Sequence, residues 1–485
     1  MAPMWGILSV VGGFLYHLSL GYYYTVGNMN SYVISYMQIT PSQSAWFSSV
    51  IIAFQALSLP IGGIIAKKIG FRLVLILGII LSSGGILLTR LTVDYGLGAY
   101  VFTYCILFGL GMGLPYSVIF QVASSWFPDK RATVVGIIAS GLGLGALVFT
   151  PIQTKLINPN DLQPKAGKYH KDVEERIPTA FLILGGIALT FQLIGLLLLR
   201  QRPDNTVKDE EVSIDSKKPE HTEKENSLDN CSLEHSEKIV WPEQGSNNYS
   251  VKDALKSIDF YLLWTVSFCD VVAVVLLTST YKIYGLERDL KDTFLAGVIM
   301  GSSAFNCFGR FTWGLIVDRF SYKCPMLAFL FLWTVLFLTF PFVVTGAAGV
   351  YLYAIWVFLL FYTLAGHFVI LPGACVSLFG PNNFATIYGL VYAAATPSGL
   401  LTAAVTSQFD VTGAWVAVYS TCAAFSLLGF AIALFLRDEK MRFCQLTSIC
   451  SRVCDPIRRH SLTDNENKEL EDRGSRVSSQ SNRAI

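Results

Sequence analysis

Apolar residues run along this chain in long blocks, with polar residues gathered between them. Twelve blocks stand out, at 6–36, 44–66, 71–91, 97–126, 132–156, 178–199, 257–284, 292–317, 324–345, 349–379, 384–408 and 413–436. Most are about 20 residues or longer, enough for a helix to cross a hydrocarbon layer about 30 Å thick. The predicted architecture is an all-α membrane protein of twelve transmembrane helices, with two six-helix bundles at 1–200 and 257–437. Residues 201–256, between them, are rich in Glu, Lys, Ser, Asn and Asp. Such a segment cannot bury a core and is expected to be a disordered cytosolic linker. The tail, 438–485, reads the same way.

Composition agrees. The 485 residues are 53% hydrophobic and 14% charged, with a mean hydropathy of +0.50. The net charge of +2 argues against a nucleic-acid partner. The first block begins near Trp5 with no basic leader and no small-residue cleavage site, so it reads as a retained span. Ten cysteines show no framework spacing, and no disulfide is expected. Cys444, Cys450 and Cys454 sit among basic residues after the last span, where they are either lipidated or plain cytosolic thiols. The basic loops "KKIGFR", "PDKR", "DRFSYK" and "RDEKMR" fall on one side if the spans alternate. Lysine and arginine favour the cytosolic side, which places both termini and the linker there. The mixed-charge loop from Lys155 to Pro178 is the exception. On this topology the sequons at Asn230 and Asn248 stay unglycosylated. No organelle address is evident, so the plasma membrane is the default.

The two halves repeat. Gly63 in "GGIIAKKIGFR" and Gly314 in "WGLIVDRFSYK" each lie four residues before a charged position, 251 residues apart. "ATVVG" (Ala132–Gly136) answers "ATIYG" (Ala385–Gly389) at nearly the same offset. Parallel six-span repeats, able to rock around a site near the midplane, describe a secondary transporter.

These residues resemble the major facilitator superfamily. Its signature after the second span, G-x-x-x-D-[RK]-x-G-[RK]-[RK], is matched by Gly63, Lys68, Gly70 and Arg72, with departures at Lys67 and Phe71. The second copy keeps Gly314, Asp318 and Arg319 but has Ser321 where glycine would stand. The resemblance implies that the acidic residue steadies one conformation near a helix end, a role that Lys67 cannot take in the first half. Within the superfamily, "NCFGRFTWGLIVDR", "WFPDKRATVVGIIASGLGLGALVFTPI" and "GYYYTV" resemble the oxalate:formate antiporter group and the monocarboxylate transporters. That group usually carries a lysine in its eleventh span, where this chain has Ala395. The resemblance therefore implies a one-arginine site suited to a monocarboxylate.

Arg310 is the residue that needs explaining. Eight residues separate it from Asp318, which sets it about 12 Å inside the helix end. Placing arginine near the middle of a span costs about 2.5–3.5 kcal/mol on the insertion scale. Asn306 and Gly314, four residues to either side, share its face and form a small polar stripe pointing inward. One reading is an arginine neutralised by Asp270 or by carbonyls, holding helices together. The other is a substrate anchor, since the guanidinium fork suits a carboxylate. Asp270, His367 and His17 are the titratable groups inside spans and the candidates for proton coupling; Asp270 reads equally as half of a permanent salt bridge, and a histidine bonded to a neighbour is the commoner case for His367 and His17. Tyr24, Gln55, Tyr116, Gln121 and Tyr392 are candidate cavity-lining residues beside Arg310 and Asn306. The glycine runs Gly109–Gly113 and Gly141–Gly145 read as helix-packing sites, and Pro151, Pro372 and Pro397 as kinks. No metal constellation, cofactor loop or nucleophile triad is visible, so neither an enzyme nor a bound cofactor is expected.

The function expected is alternating-access transport of small organic anions, most simply monocarboxylates, by proton-linked symport or anion exchange. The expected partners are the carboxylate, protons and the bilayer, with the monomer as the working unit. The alternatives are an amino-acid facilitator and a transporter-like nutrient sensor signalling through the linker and tail. A sugar carrier is disfavoured because the motif P-E-S-P-R is absent after the sixth span.

Overall fold

The computed structural model describes residues 2–44, 46–160, 162, 168–202, 248–344, 348–408 and 413–438. Most of the linker, with Asn230, and nearly all of the tail, with Cys444, Cys450 and Cys454, lie outside the described residues. The regular elements are helices throughout. The first span is α1 (Ala2–Leu20), a 3-10 stretch (Gly21–Thr25) and α2 (Val26–Met37). Then come α3 (Trp46–Ile69), α4 (Phe71–Thr92), α5 (Phe108–Ser124), α6 (Arg131–Ile157) and α7 (Ile177–Leu198). A π-helical segment, Val101–Leu107, leads into α5. After the linker follow α8 (Val251–Lys256), α9 (Ile258–Glu287), α10 (Asp292–Phe320), α11 (Lys323–Val343) and α12 (Gly349–Phe379). The last are α13 (Phe384–Tyr392), α14 (Ala395–Gln408) and α15 (Trp415–Ala433).

Among the described residues, eleven spans are long and apolar enough to cross a membrane. The 29-residue α10 is not among them. Its polarity is concentrated on one face: Asn306, Arg310 and Gly314 are buried, while Phe305, Phe308, Phe311 and Leu315 face outward. The guanidinium therefore points away from lipid. In the membrane this inverted amphipathicity is the cheap arrangement, because the polar face finds its partners inside the bundle.

The glycine runs are packing seams. A Cβ on Gly113 would meet the Gln55 carbonyl and the Ser58 hydroxyl of α3, and one on Gly145 would meet the backbone of Gly21. Pro151 and Pro372 sit within continuous helices. Pro397 follows the break between α13 and α14, since it cannot donate back to the preceding turn. Residues 251–256, assigned to the linker by composition, form a short helix. The Ser250 hydroxyl accepts from Asp253 N–H at 3.2 Å and Ala254 is buried. Capping and one anchored apolar side chain order a segment whose overall composition is polar.

The first six spans meet the last six along two crossings, α6 with α10 and α3 with α13. Hydrogen bonds gather at the end bearing the basic loops. There Asp318 takes Ala132 and Thr133 of α6, Ser117 donates to the Ala385 carbonyl, and Lys67 donates to Asn383. Nearer mid-depth, Thr396 bonds the Ala53 carbonyl at 3.2 Å. Among the described residues no hydrogen bond joins the two halves at the opposite end. The conformation is closed at the basic end.

Candidate functional site

The site forms where α10 crosses α6 and the 3-10 stretch passes beside them. Gly136 and Gly143 of α6 allow the approach: a Cβ at Gly136 would meet the Arg310 carbonyl, and one at Gly143 would lie 3.3 Å from Arg310 Nε. Arg310 has no solvent exposure. Its Nε donates to Asn306 Oδ1 at 3.0 Å, one turn back on the same helix. One terminal nitrogen donates to the Ala139 carbonyl at 2.9 Å and the other to the Tyr24 hydroxyl at 3.0 Å. The Phe368 ring of α12 covers the guanidinium face, its centroid 4.3 Å from Cζ.

A guanidinium carries five N–H donors. Nε and both terminal nitrogens are engaged here, with Asn306, Ala139 and Tyr24. Tyr24 accepts from Arg310, so its own O–H remains free to donate. Among the described residues no carboxylate lies within ion-pair distance of Arg310. The cation is held by neutral groups alone.

Tyr116, on α5, faces the guanidinium with its hydroxyl. Its ring is stacked with Tyr392, centroids 6.5 Å apart, and tilted against His17, centroids 4.9 Å apart. His17 Nδ1 is paired with the Gly13 carbonyl at 3.0 Å. Asp270 does not neutralise Arg310. Its Oδ2 lies 2.9 Å from His367 Nδ1, with both side chains almost wholly buried. The candidates Tyr24, Asn306, Tyr116 and Tyr392 thus gather around Arg310, with His17 beside them. The pair Asp270–His367 stands behind Phe368.

Two candidates make no hydrogen bond to Arg310 among the described residues. Gln121 is at the α5–α13 seam, where its Oε1 accepts from Ala385 N–H at 3.3 Å. Gln55 is buried in α3, and among the described residues no hydrogen bond links its amide to Arg310. The signature residues Gly63, Gly314 and Asp318 line the two crossings. Gly70 turns the chain between α3 and α4 at φ +88°. Lys68, Arg72 and Arg319 are exposed at the basic end.

Ala139, Phe368 and Tyr388 went unnoticed in the sequence. Tyr388 lies one turn from Tyr392 with its ring 6.0 Å away, and its hydroxyl has no hydrogen-bond partner. The spacing of "YGLVY" carried that signal. A backbone carbonyl and a phenylalanine carry none.

The profile of the Major Facilitator Superfamily matches residues 10–403. The chain is similar to Apicoplast pyruvate carrier 1 of Toxoplasma gondii, 28% identical over 465 residues, covering 81% of this chain and 82% of that protein. It is also similar to the Oxalate:formate antiporter of Oxalobacter formigenes, 25% identical over 400 residues, with 81% and 82% covered. Among solved structures, the proton:xylose symporter XylE superposes with a TM-score of 0.65 at 13% identity, over 90% of this chain and 97% of that one. The transporter FucP in its outward conformation gives 0.61 at 16% identity, over 89% and 100%. At such low identity the structures speak for the fold, and the profile and the relatives for the family. The chain belongs to the major facilitator superfamily, as a multi-pass membrane transporter and not an enzyme.

Proposed function

We propose that this transporter carries small monocarboxylates, gripping the carboxylate on Arg310 while residues 1–200 and 257–437 rock about the site. One observation carries the reading: a fully buried guanidinium with no carboxylate partner among the described residues. A buried cation without a counter-ion is costly, and an arriving anion offsets that cost. Tyr24 and Tyr116 supply hydroxyls beside the bound group, and Phe368 and Tyr392 supply apolar walls. The relatives named for pyruvate and for oxalate and formate support a small carboxylate. A dicarboxylate calls for a second cation, and Ala395 stands where a lysine would provide it. An amino acid calls for an anion to hold its ammonium, and Asp270 is already engaged by His367. The sensor reading rests on the linker and tail, outside the described residues. The excess of Lys and Arg supports a cytosolic placement of the basic end, with both termini.

The test is uptake of labelled pyruvate by liposomes containing the purified protein. Arg310→Ala is expected to abolish uptake, and Arg310→Lys, which keeps the charge without the fork, to lower it by about tenfold or more. Uptake by Arg310→Ala at the unaltered rate, in protein that melts normally, overturns the assignment.

A further inference from the structure

Beside the arginine site, His17 Nε2 and the Tyr388 hydroxyl have no hydrogen-bond partner among the described residues. Neither side chain has any solvent exposure, and both lie within electrostatic reach of the Arg310 guanidinium. His17 comes seven residues before Tyr24, and Tyr388 comes one turn before Tyr392, in both cases toward the closed basic end. The imidazole tilts against Tyr116 and stacks on Phe120 of α5, with centroids 4.9 Å apart in each pair. The Tyr388 ring is 6.0 Å from that of Tyr392, which stacks on Tyr116. The two unpartnered groups thus belong to the floor of the site, beneath a carboxylate held on Arg310.

Their donor and acceptor roles are fixed by their neighbours. His17 Nδ1 is 3.0 Å from the Gly13 carbonyl, and a carbonyl only accepts, so Nδ1 carries the hydrogen. A second proton, on Nε2, would set another buried cation beside Arg310. Among the described residues no carboxylate lies within ion-pair distance to balance it. The imidazole is therefore neutral, and Nε2 is an acceptor alone. The Tyr388 hydroxyl can both donate and accept. Buried polar atoms rarely go unpaired, and here the missing partners are groups that a substrate brings.

The substituent on the carbon next to the carboxylate decides how well it meets this floor. A 2-hydroxyl donates its hydrogen to His17 Nε2 and accepts from the Tyr388 O–H, which satisfies both. A 2-oxo group accepts from Tyr388 but turns oxygen lone pairs toward a nitrogen lone pair, leaving Nε2 unpaired. A 2-ammonium group donates to Nε2 and places its charge beside a guanidinium. Sites with buried polar groups discriminate against ligands that leave those groups unpaired.

Resting on the carboxylate reading above, we propose that His17 and Tyr388 read the substituent at carbon 2, and that the site prefers a 2-hydroxy monocarboxylate to its 2-oxo counterpart. His17 supplies the preference, and Tyr388 supports either oxygen. The probes are the two enantiomers of lactate, pyruvate and propionate, each titrated calorimetrically into the purified full-length protein in detergent. One enantiomer of lactate should bind about fivefold or more tightly than pyruvate, and propionate, with no oxygen at carbon 2, should bind most weakly. His17→Phe keeps the ring and its stacking but removes the acceptor. It should erase the advantage of lactate over pyruvate while pyruvate keeps its advantage over propionate. His17→Gln, which offers a side-chain carbonyl in place of Nε2, should retain part of the lactate preference. Tyr388→Phe should weaken lactate and pyruvate together relative to propionate. The proposal is overturned if the unaltered protein binds pyruvate as tightly as either lactate. It is overturned equally if the lactate advantage survives in His17→Phe, or if that variant, melting normally, loses all four ligands alike. Each of these results leaves the carboxylate reading in place. Failure of the unaltered protein to bind any of the four removes the carboxylate reading and the proposal with it.

Discussion

The two crossings that close the basic end occupy repeat-related positions and are fastened by different chemistry. Where α10 meets α6, a Cβ on Gly314 would lie 2.7 Å from the Ala132 carbonyl. Where α3 meets α13, one on Gly63 would lie 2.6 Å from Thr386 N. The backbones thus approach equally closely. At the first crossing Asp318 acts as the missing N-cap of α6. Its Oδ1 accepts from Ala132 N–H at 3.0 Å, and its Oδ2 from the Thr133 N–H at 2.7 Å and the Thr133 hydroxyl at 2.6 Å. At the second crossing the corresponding residue is Lys67. A lysine cannot accept from helix N–H groups, and its charge opposes the positive end of the helix dipole. It donates instead to Asn383, whose amide in turn donates to the Tyr249 carbonyl at 2.6 Å. The freed N–H of Ala385 is taken by Gln121, from α5. The departure from the family signature therefore divides the capping role between two side chains. A neutral amide replaces the carboxylate cap, and the lysine is tied to the residue flanking the helix. Hydrogen bonds to charged groups contribute about 1.5–3 kcal/mol and neutral ones about 0.5–1.5 kcal/mol. The α10–α6 crossing is the stronger fastening.

Breaking the stronger fastening should have the largest effect. Asp318→Ala leaves the first N–H groups of α6 uncapped and removes three charge-assisted bonds. The expected loss is about 3 kcal/mol from the closed conformation. In detergent the protein should melt several degrees lower, and pyruvate uptake should fall because the carrier no longer settles into the state closed at its basic end. A melting curve that coincides with that of the unaltered protein shows that Asp318 carries no load.

The stronger side also holds a defect. Gly70 and Ser321 are repeat mates that follow α3 and α10. Gly70 has φ +88° and ψ 156°, and Ser321 has φ +67° and ψ 177°. Glycine adopts that conformation freely, whereas a residue with a Cβ is strained there by about 1–3 kcal/mol. Ser321→Gly should recover part of that strain and stabilise the protein by about 1 kcal/mol. Its melting temperature should rise, and a fall would mean that the serine hydroxyl does something that the turn needs.

How much of this could be read from the chain depends on the range of each contact. The spans were legible because bilayer thickness fixes their length, and α10 ends at Phe320, three residues past its apolar block. The inward aim of Arg310 was legible too, because Asn306 and Gly314 sit one turn to either side. The repeat offset that pairs Gly63 with Gly314 sets Leu59 against Arg310, so the charge belongs to one half alone. What a guanidinium meets across 171 or 286 residues of chain was not legible. Helices as evenly apolar as α9 and α12 give no periodic sign of which face turns inward. The pairing of Asp270 with His367, 97 residues apart, depended on that rotation. Gln121 was misplaced for the same reason. Beside Tyr116 and Pro115 it reads as cavity lining, yet it stands more than a turn beyond Tyr116 and reaches α13.

Gln121 also offers the finest probe of how the two crossings differ. If the weaker crossing is shared between Lys67–Asn383 and Gln121–Ala385, removing the glutamine side chain should cost less than removing Asp318. At 3.3 Å its bond is long and neutral, and the loss expected for Gln121→Ala is about 0.5–1 kcal/mol. Melting should drop slightly, and uptake should stay within about twofold of the unaltered rate. Gln121→Glu keeps the reach and adds the charge that Asp318 brings to α6, so it should raise stability above that of the unaltered protein through the dipole of α13. If Gln121→Ala melts as low as Asp318→Ala, the neutral amide is holding the crossing alone. The ammonium of Lys67 would then add nothing to closure.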